Sequence, residues 1–119
     1  MEITQEQAKK DLENIMQEFS TVGTGSEKSR AAQLILQTLG VLGRRLDKPG
    51  AIKMLYLENP EASKILPPTV REIASRYVNG DLTQEQARED LQSASAQYEK
   101  VFKDMGISPE DSSAILKNF

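Results

Sequence analysis

Apolar side chains stand at Ala8, Leu12, Ile15 and Phe19, and again at Ala87, Leu91, Ala94, Tyr98, Val101 and Met105. Both series alternate steps of four and three residues, which lays one apolar stripe along an α-helix. The spacing predicts a first helix from about Gln5 to Phe19. It predicts a long late helix from about Gln84 to Met105, stopped at Gly106.

The two helices open alike. Residues 3–13, ITQEQAKKDLE, and 82–92, LTQEQAREDLQ, are identical at seven of eleven positions, at an offset of 79. Thr4 with Gln7, and Thr83 with Gln86, fit a capping box. In that motif the hydroxyl accepts the N3 amide proton and the Gln side chain accepts from the cap amide. Ile3 and Leu82 stand where a hydrophobic staple belongs. The repeat is read either as a duplicated helical hairpin or as two helices that independently acquired a strong start.

The middle of the chain divides itself. Ser26 can cap a second helix through EKSRAAQLILQTLGVLGRRL, with Gly40 and Gly43 inside it. Glycine weakens a helix interior, so these two suggest a kink or the close approach of a neighbour. Asp47-Lys-Pro-Gly50 is a turn signal. AIKMLYLEN, residues 51–59, is apolar on nearly all sides and is expected to be a central helix. Asn59-Pro60 opens a short helix with Pro at its first position. Pro67-Pro68 ends it and opens TVREIASRYVN, which closes at Gly80; Ser108 to Asp111 cap a last helix carrying Ile115, Leu116 and Phe119. No stretch sustains the alternation of a strand. The expected fold is all-α: a single domain over residues 1–119, a compact bundle of five to seven helices, several short, with one long helix near 84–105.

Composition narrows the chemistry. A chain of 119 residues fits one domain. At that length it buries roughly two-thirds of its unfolded surface without a metal or disulfide staple. Aromatics are only 5%, so the core must rest on aliphatic side chains, which suits helices. There is no Cys and no His. Disulfides, thiolate chemistry, Cys/His zinc sites and a Ser-His-acid triad are therefore excluded. The N-terminus is charged and carries no apolar signal region. The most apolar run, residues 31–43, is too short to span a bilayer. The reading is a cytoplasmic protein that does not engage a membrane.

Candidate motifs are few. TGSEKS, residues 24–29, is one letter from the core of a phosphate-binding loop. Lys28 and Ser29 match its end, but Val22 and Glu27 stand where the loop needs glycines. A carboxylate at Glu27 would face the anion, so the segment reads as a loop running into a capped helix. Glu85 and Glu89 share a helix face. Without the Glu-x-x-His motifs of a carboxylate-bridged metal pair, they read as a solvated face. Residues 71–91 have a helix–turn–helix outline, but the second helix opens with Gln84, Glu85 and Gln86 and then carries Glu89 and Asp90, which suits no phosphate backbone. This stretch resembles the C-terminal part of VbhA-type antitoxins. Those proteins block a Fic partner through a Ser/Thr-x-x-x-Glu-Gly/Asn motif that is absent here, so the resemblance implies no function for this chain.

Charge is segregated. The net charge is −3 over residues 1–26, +4 over 27–76 and −4 over 77–119. Arg44, Arg45, Lys48 and Lys53 form the densest basic group. Either the basic middle neutralises the acidic ends inside the bundle, or these four residues form a docking patch. The function expected from this pattern is non-enzymatic and needs no cofactor or metal. The protein is read as a small helical adaptor, inhibitor, regulator or assembly factor that binds another protein bearing an acidic surface. Two alternatives are a nucleic-acid-associated regulator using the basic middle and a self-assembling subunit using the stripe of the long helix as a homo-oligomer seam. Nucleic acid is the weaker partner for a chain with a pI near 5.0.

Overall fold

The structure is a computed structural model that describes residues 3–18 and 27–107. Helix α1 spans Gln5–Glu18, α2 Glu27–Arg44, α3 Pro49–Ile52, α4 Pro60–Ile65, α5 Pro68–Val78 and α6 Gln84–Asp104. A π-helical segment, Lys53–Leu57, continues α3. No strand occurs among the described residues, and the fold is an all-α bundle. Ser26, the proposed cap of α2, and the expected C-terminal helix with Ile115, Leu116 and Phe119 lie outside the described residues.

The apolar stripes account for the packing. Ala8, Leu12 and Ile15 of α1 are buried, as are Ala87, Leu91, Ala94, Tyr98, Val101 and Phe102 of α6. They meet Ala32, Ile35, Leu36, Leu39 and Leu42, the buried face of α2. Helix α6 packs on α1, α2 and α5 and is the spine of the bundle. The aromatic rings of Tyr98 and Phe102 stack within it, with centroids 5.7 Å apart. Gly40 and Gly43 are both buried, and α2 continues through them to Arg44.

Both repeated starts form caps, but only one forms the full box. Thr83 Oγ1 accepts from the Gln86 amide at 3.1 Å, and Gln86 Oε1 accepts from the Thr83 amide at 2.9 Å. In α1, Thr4 Oγ1 accepts from the Gln7 amide at 3.1 Å, whereas the Gln7 side chain donates to Asp11 at 2.9 Å. Thr83→Ala is expected to lower the unfolding free energy by about 1 kcal/mol, as read by urea denaturation, and Thr4→Ala by a similar amount.

The ends of α5 and α6 show why glycine stands at Gly80 and Gly106. Their φ angles are +86° and +77°, the left-handed region that costs residues with a Cβ. The following residues close Schellman motifs: Asp81 N–H to the Arg76 carbonyl at 2.8 Å, and Ile107 N–H to the Phe102 carbonyl at 2.8 Å.

One segment departs from the sequence pattern. Residues 51–59 were expected to form a central helix because they are apolar all round. Instead the chain widens after Ile52 into a π-turn, in which the Glu58 amide donates to the Lys53 carbonyl at 2.9 Å. The segment packs on α4 and α5 and is not surrounded. Ile52 is buried, and Tyr56 and Leu57 lean on the core. Met54 and Leu55 are left at the surface, 64% and 40% exposed. Asn59 then caps α4 by accepting from the Glu61 and Ala62 amides, so the apolar run ends before it can build a longer helix.

Candidate functional site

The predicted basic residues cluster at the corner where α2 turns into α3. Arg44 closes α2 and Arg45 follows it, both exposed. The turn is drawn tight by the Lys48 amide donating to the Arg45 carbonyl at 3.0 Å. Leu46 is buried behind this turn, and its carbonyl accepts from the Tyr77 hydroxyl of α5. The backbone of the corner is therefore anchored to the core while Arg44, Arg45, Asp47 and Lys48 face solvent. Lys53 opens the π-helical segment a turn later, and Met54 and Leu55 follow it directly.

Ion pairing is sparse. Among the described residues one salt bridge is found, Lys53 Nζ to Glu58 Oε1 at 4.0 Å, with both side chains about 60% exposed. Arg44, Arg45 and Lys48 have no carboxylate within that distance among the described residues. No described ion pair links the basic middle to the acidic ends. The basic residues of this corner therefore present their charge outward, and Lys53 directly precedes the exposed apolar pair Met54 and Leu55 in the chain.

The other motifs take ordinary places. Lys28 and Ser29 lie in the first turn of α2, Lys28 exposed and Ser29 half-buried; residues 24–26 lie outside the described residues. Glu85 and Glu89 are exposed at the start of α6 beside Gln84 and Gln92. No group of three or more potential ligands that could hold a metal ion occurs among the described residues. No described helix is long and apolar enough to cross a membrane. The α6 stripe is buried within its own chain. Apart from Ala96, the exposed residues of α6 are polar, among them Glu85, Glu89, Gln92 and Lys100.

The structure also reveals a buried polar link that the stripes do not announce. Asp11 is 2% exposed. Its Oδ2 accepts from the Tyr98 hydroxyl at 2.8 Å, and its Oδ1 accepts from Gln7 Nε2 at 2.9 Å. Thr69 of α5 stands close to the Tyr98 oxygen and weakly favours its charged form. Burial pushes the Asp11 carboxyl above the usual carboxylate range, against the two hydrogen bonds that favour its charged form. Burial, then the neighbouring Asp11 charge, push the Tyr98 phenol up as well, so it remains a donor at neutral pH. The link Tyr98–Asp11–Gln7 ties α6 to α1. The one signal for it in the sequence is that Asp11 lies three residues after Ala8 and directly before Leu12, at the edge of the apolar stripe.

No protein-family model, curated protein or solved structure matches this chain.

Proposed function

We propose that the protein is a non-enzymatic helical binding module, serving as an adaptor, inhibitor or assembly factor. Its docking surface is the corner formed by Arg44, Arg45, Lys48 and Lys53, and its partner is a protein with an acidic surface. The observation that carries this reading is the exposure of Met54 and Leu55 directly after Lys53, a few residues along the chain from the other three cations. Two large exposed apolar side chains next to a charged rim supply the parts of a small protein interface: a desolvated centre and a polar border. Methionine adapts its shape to the surface it meets. The cations steer an acidic partner onto the apolar pair, so they act mainly on the association rate.

A photo-crosslinking side chain at position 54 identifies the partner in host extract, and the purified pair provides the test. Arg44→Glu with Arg45→Glu is expected to slow association at least tenfold at low salt and to leave the helical circular dichroism spectrum intact. Met54→Ala with Leu55→Ala is expected to act on dissociation instead. Wild-type association kinetics in the arginine double mutant would show that docking occurs elsewhere. Loss of the helical spectrum in that mutant would show that the arginines serve the fold.

A further inference from the structure

Helices α5 and α6 are joined by a short turn and lie against each other, leaving a partly open cleft of about 280 Å³ between them. One wall comes from Thr69, Glu72 and Arg76 of α5, and the other from Asp90, Ser93 and Gln97 of α6. On each helix these positions are three or four residues apart, the spacing that aligns side chains along one ridge. The buried side chains of Ile73 and Ala94 form an apolar floor. The volume is near the lower end of the range for small-molecule sites, roughly 300–1,000 Å³.

The unused hydrogen-bonding capacity of the walls defines a ligand. Gln97 is committed: its Oε1 accepts from the Ile3 amide at 2.8 Å and its Nε2 donates to Ser93 Oγ at 3.2 Å. Ser93, having accepted that bond, keeps its own proton to donate. The Thr69 hydroxyl lines the same cleft. Arg76 has no ion-pair partner among the described residues, although Glu72 stands one turn away and Asp90 lines the same cleft. The cleft thus holds one cation and two carboxylates that leave each other unpaired, plus the hydroxyls of Ser93 and Thr69.

We infer that this cleft binds a free α-amino acid with a short apolar side chain. The ligand carboxylate meets the Arg76 guanidinium and the Ser93 hydroxyl. The ammonium meets Glu72 and Asp90, and the side chain lies on Ile73 and Ala94. A molecule carrying both charged groups on one carbon satisfies both sets at once, whereas an amine or an acid alone leaves one set facing its own unmet charge. The site shares no residue with the basic corner, so its occupancy is separable from docking there.

The test is an NMR titration of the full chain with L-valine, and with isobutylamine and isobutyrate as single-charge controls. Saturable amide shifts confined to residues 69–76 and 90–97 are expected for valine, with each control at least tenfold weaker. Arg76→Gln and Asp90→Asn are each expected to weaken valine at least tenfold with unchanged helical content. Should either variant fold poorly, Glu72→Gln, at an exposed position, carries the same expectation. Absence of saturable shifts, equal binding of either control, or undiminished binding by the folded variants would overturn the assignment.

Discussion

Leu91→Ala is expected to destabilise the protein by about 2–5 kcal/mol, the cost of emptying a core position that cannot fully collapse. Leu91 is 1% exposed. It lies at the meeting of three elements, facing a small apolar space shared with Leu42 within α2 and Leu46 just after it, Ile52 of α3, and Ile73 and Tyr77 of α5. Those neighbours are tied in different ways: Leu42 belongs to α2 itself, and Leu46 is held by the Tyr77 hydroxyl. They therefore relax only partly around a void. A small domain is stable by roughly 5–15 kcal/mol, so this one change removes a large share of the total. Urea denaturation checks it, with Leu91→Met as the volume-conserving control, expected to cost under about 1.5 kcal/mol. Because Leu46 anchors the basic corner, Leu91→Ala is also expected to loosen Arg45 to Lys48, seen as faster amide exchange there than in the Leu91→Met control. A neutral Leu91→Ala would mean that the 87–91–94–98 stripe is not the buried face of α6.

What the sequence makes legible is local. The stripes of α1 and α6, the Thr83–Gln86 box, Pro60 and Pro68 at helix starts, and glycine at the two left-handed C-terminal positions all follow from residue type and spacing within one helix. What stays hidden depends on which elements surround a residue. MLYL reads as a buried helix because it is apolar all round, yet few elements reach it, and Met54 and Leu55 remain outside. Asp11 reads as one more surface acid because its donor, Tyr98, is 87 residues away. The repeated starts misdirect in a similar way: Gln7 and Gln86 occupy equivalent positions, but Gln7 is drawn off its cap by the buried carboxylate. The α5–α6 cleft was hidden for a different reason. Its walls are the polar ridges of two helices whose apolar ridges alone carry the periodic signal. The basic corner was legible as a charge cluster, but its apolar companion depends on the π-turn, which no propensity announces.

Tyr98→Phe is expected to cost about 1.5–3 kcal/mol at pH 7, the range for a hydrogen bond to a charged group, and distinctly less near pH 4. The change keeps the ring and its stacking on Phe102 and removes one donor from a carboxylate that is 2% exposed. The pH dependence follows from the direction in which Asp11 is displaced. Its carboxyl is raised above the ordinary value by burial. The fold therefore favours the protonated form: the stability Asp11 contributes is fully present below its unfolded pKa and is lost as pH rises through the higher folded value. Removing the Tyr98 donor takes away a bond that favours the charged form and raises the folded value further. The stability gap between wild type and Tyr98→Phe should then be widest where the wild-type carboxylate is ionised, and should close on acidification. Asp11→Asn separates charge from geometry. Its amide oxygen still accepts from Tyr98, and Gln7 can turn its own amide to present an oxygen to the new amide group. This variant is expected to lie within about 1 kcal/mol of wild type at pH 7. In the Asp11→Asn background, Tyr98→Phe should show no pH-dependent gap. Urea denaturation of the four proteins between pH 4 and pH 7 closes this double-mutant cycle. A Tyr98→Phe cost that is unchanged across that range would show that Asp11 does not ionise within the fold. The link between α1 and α6 would then be a neutral hydrogen bond whose strength is independent of pH.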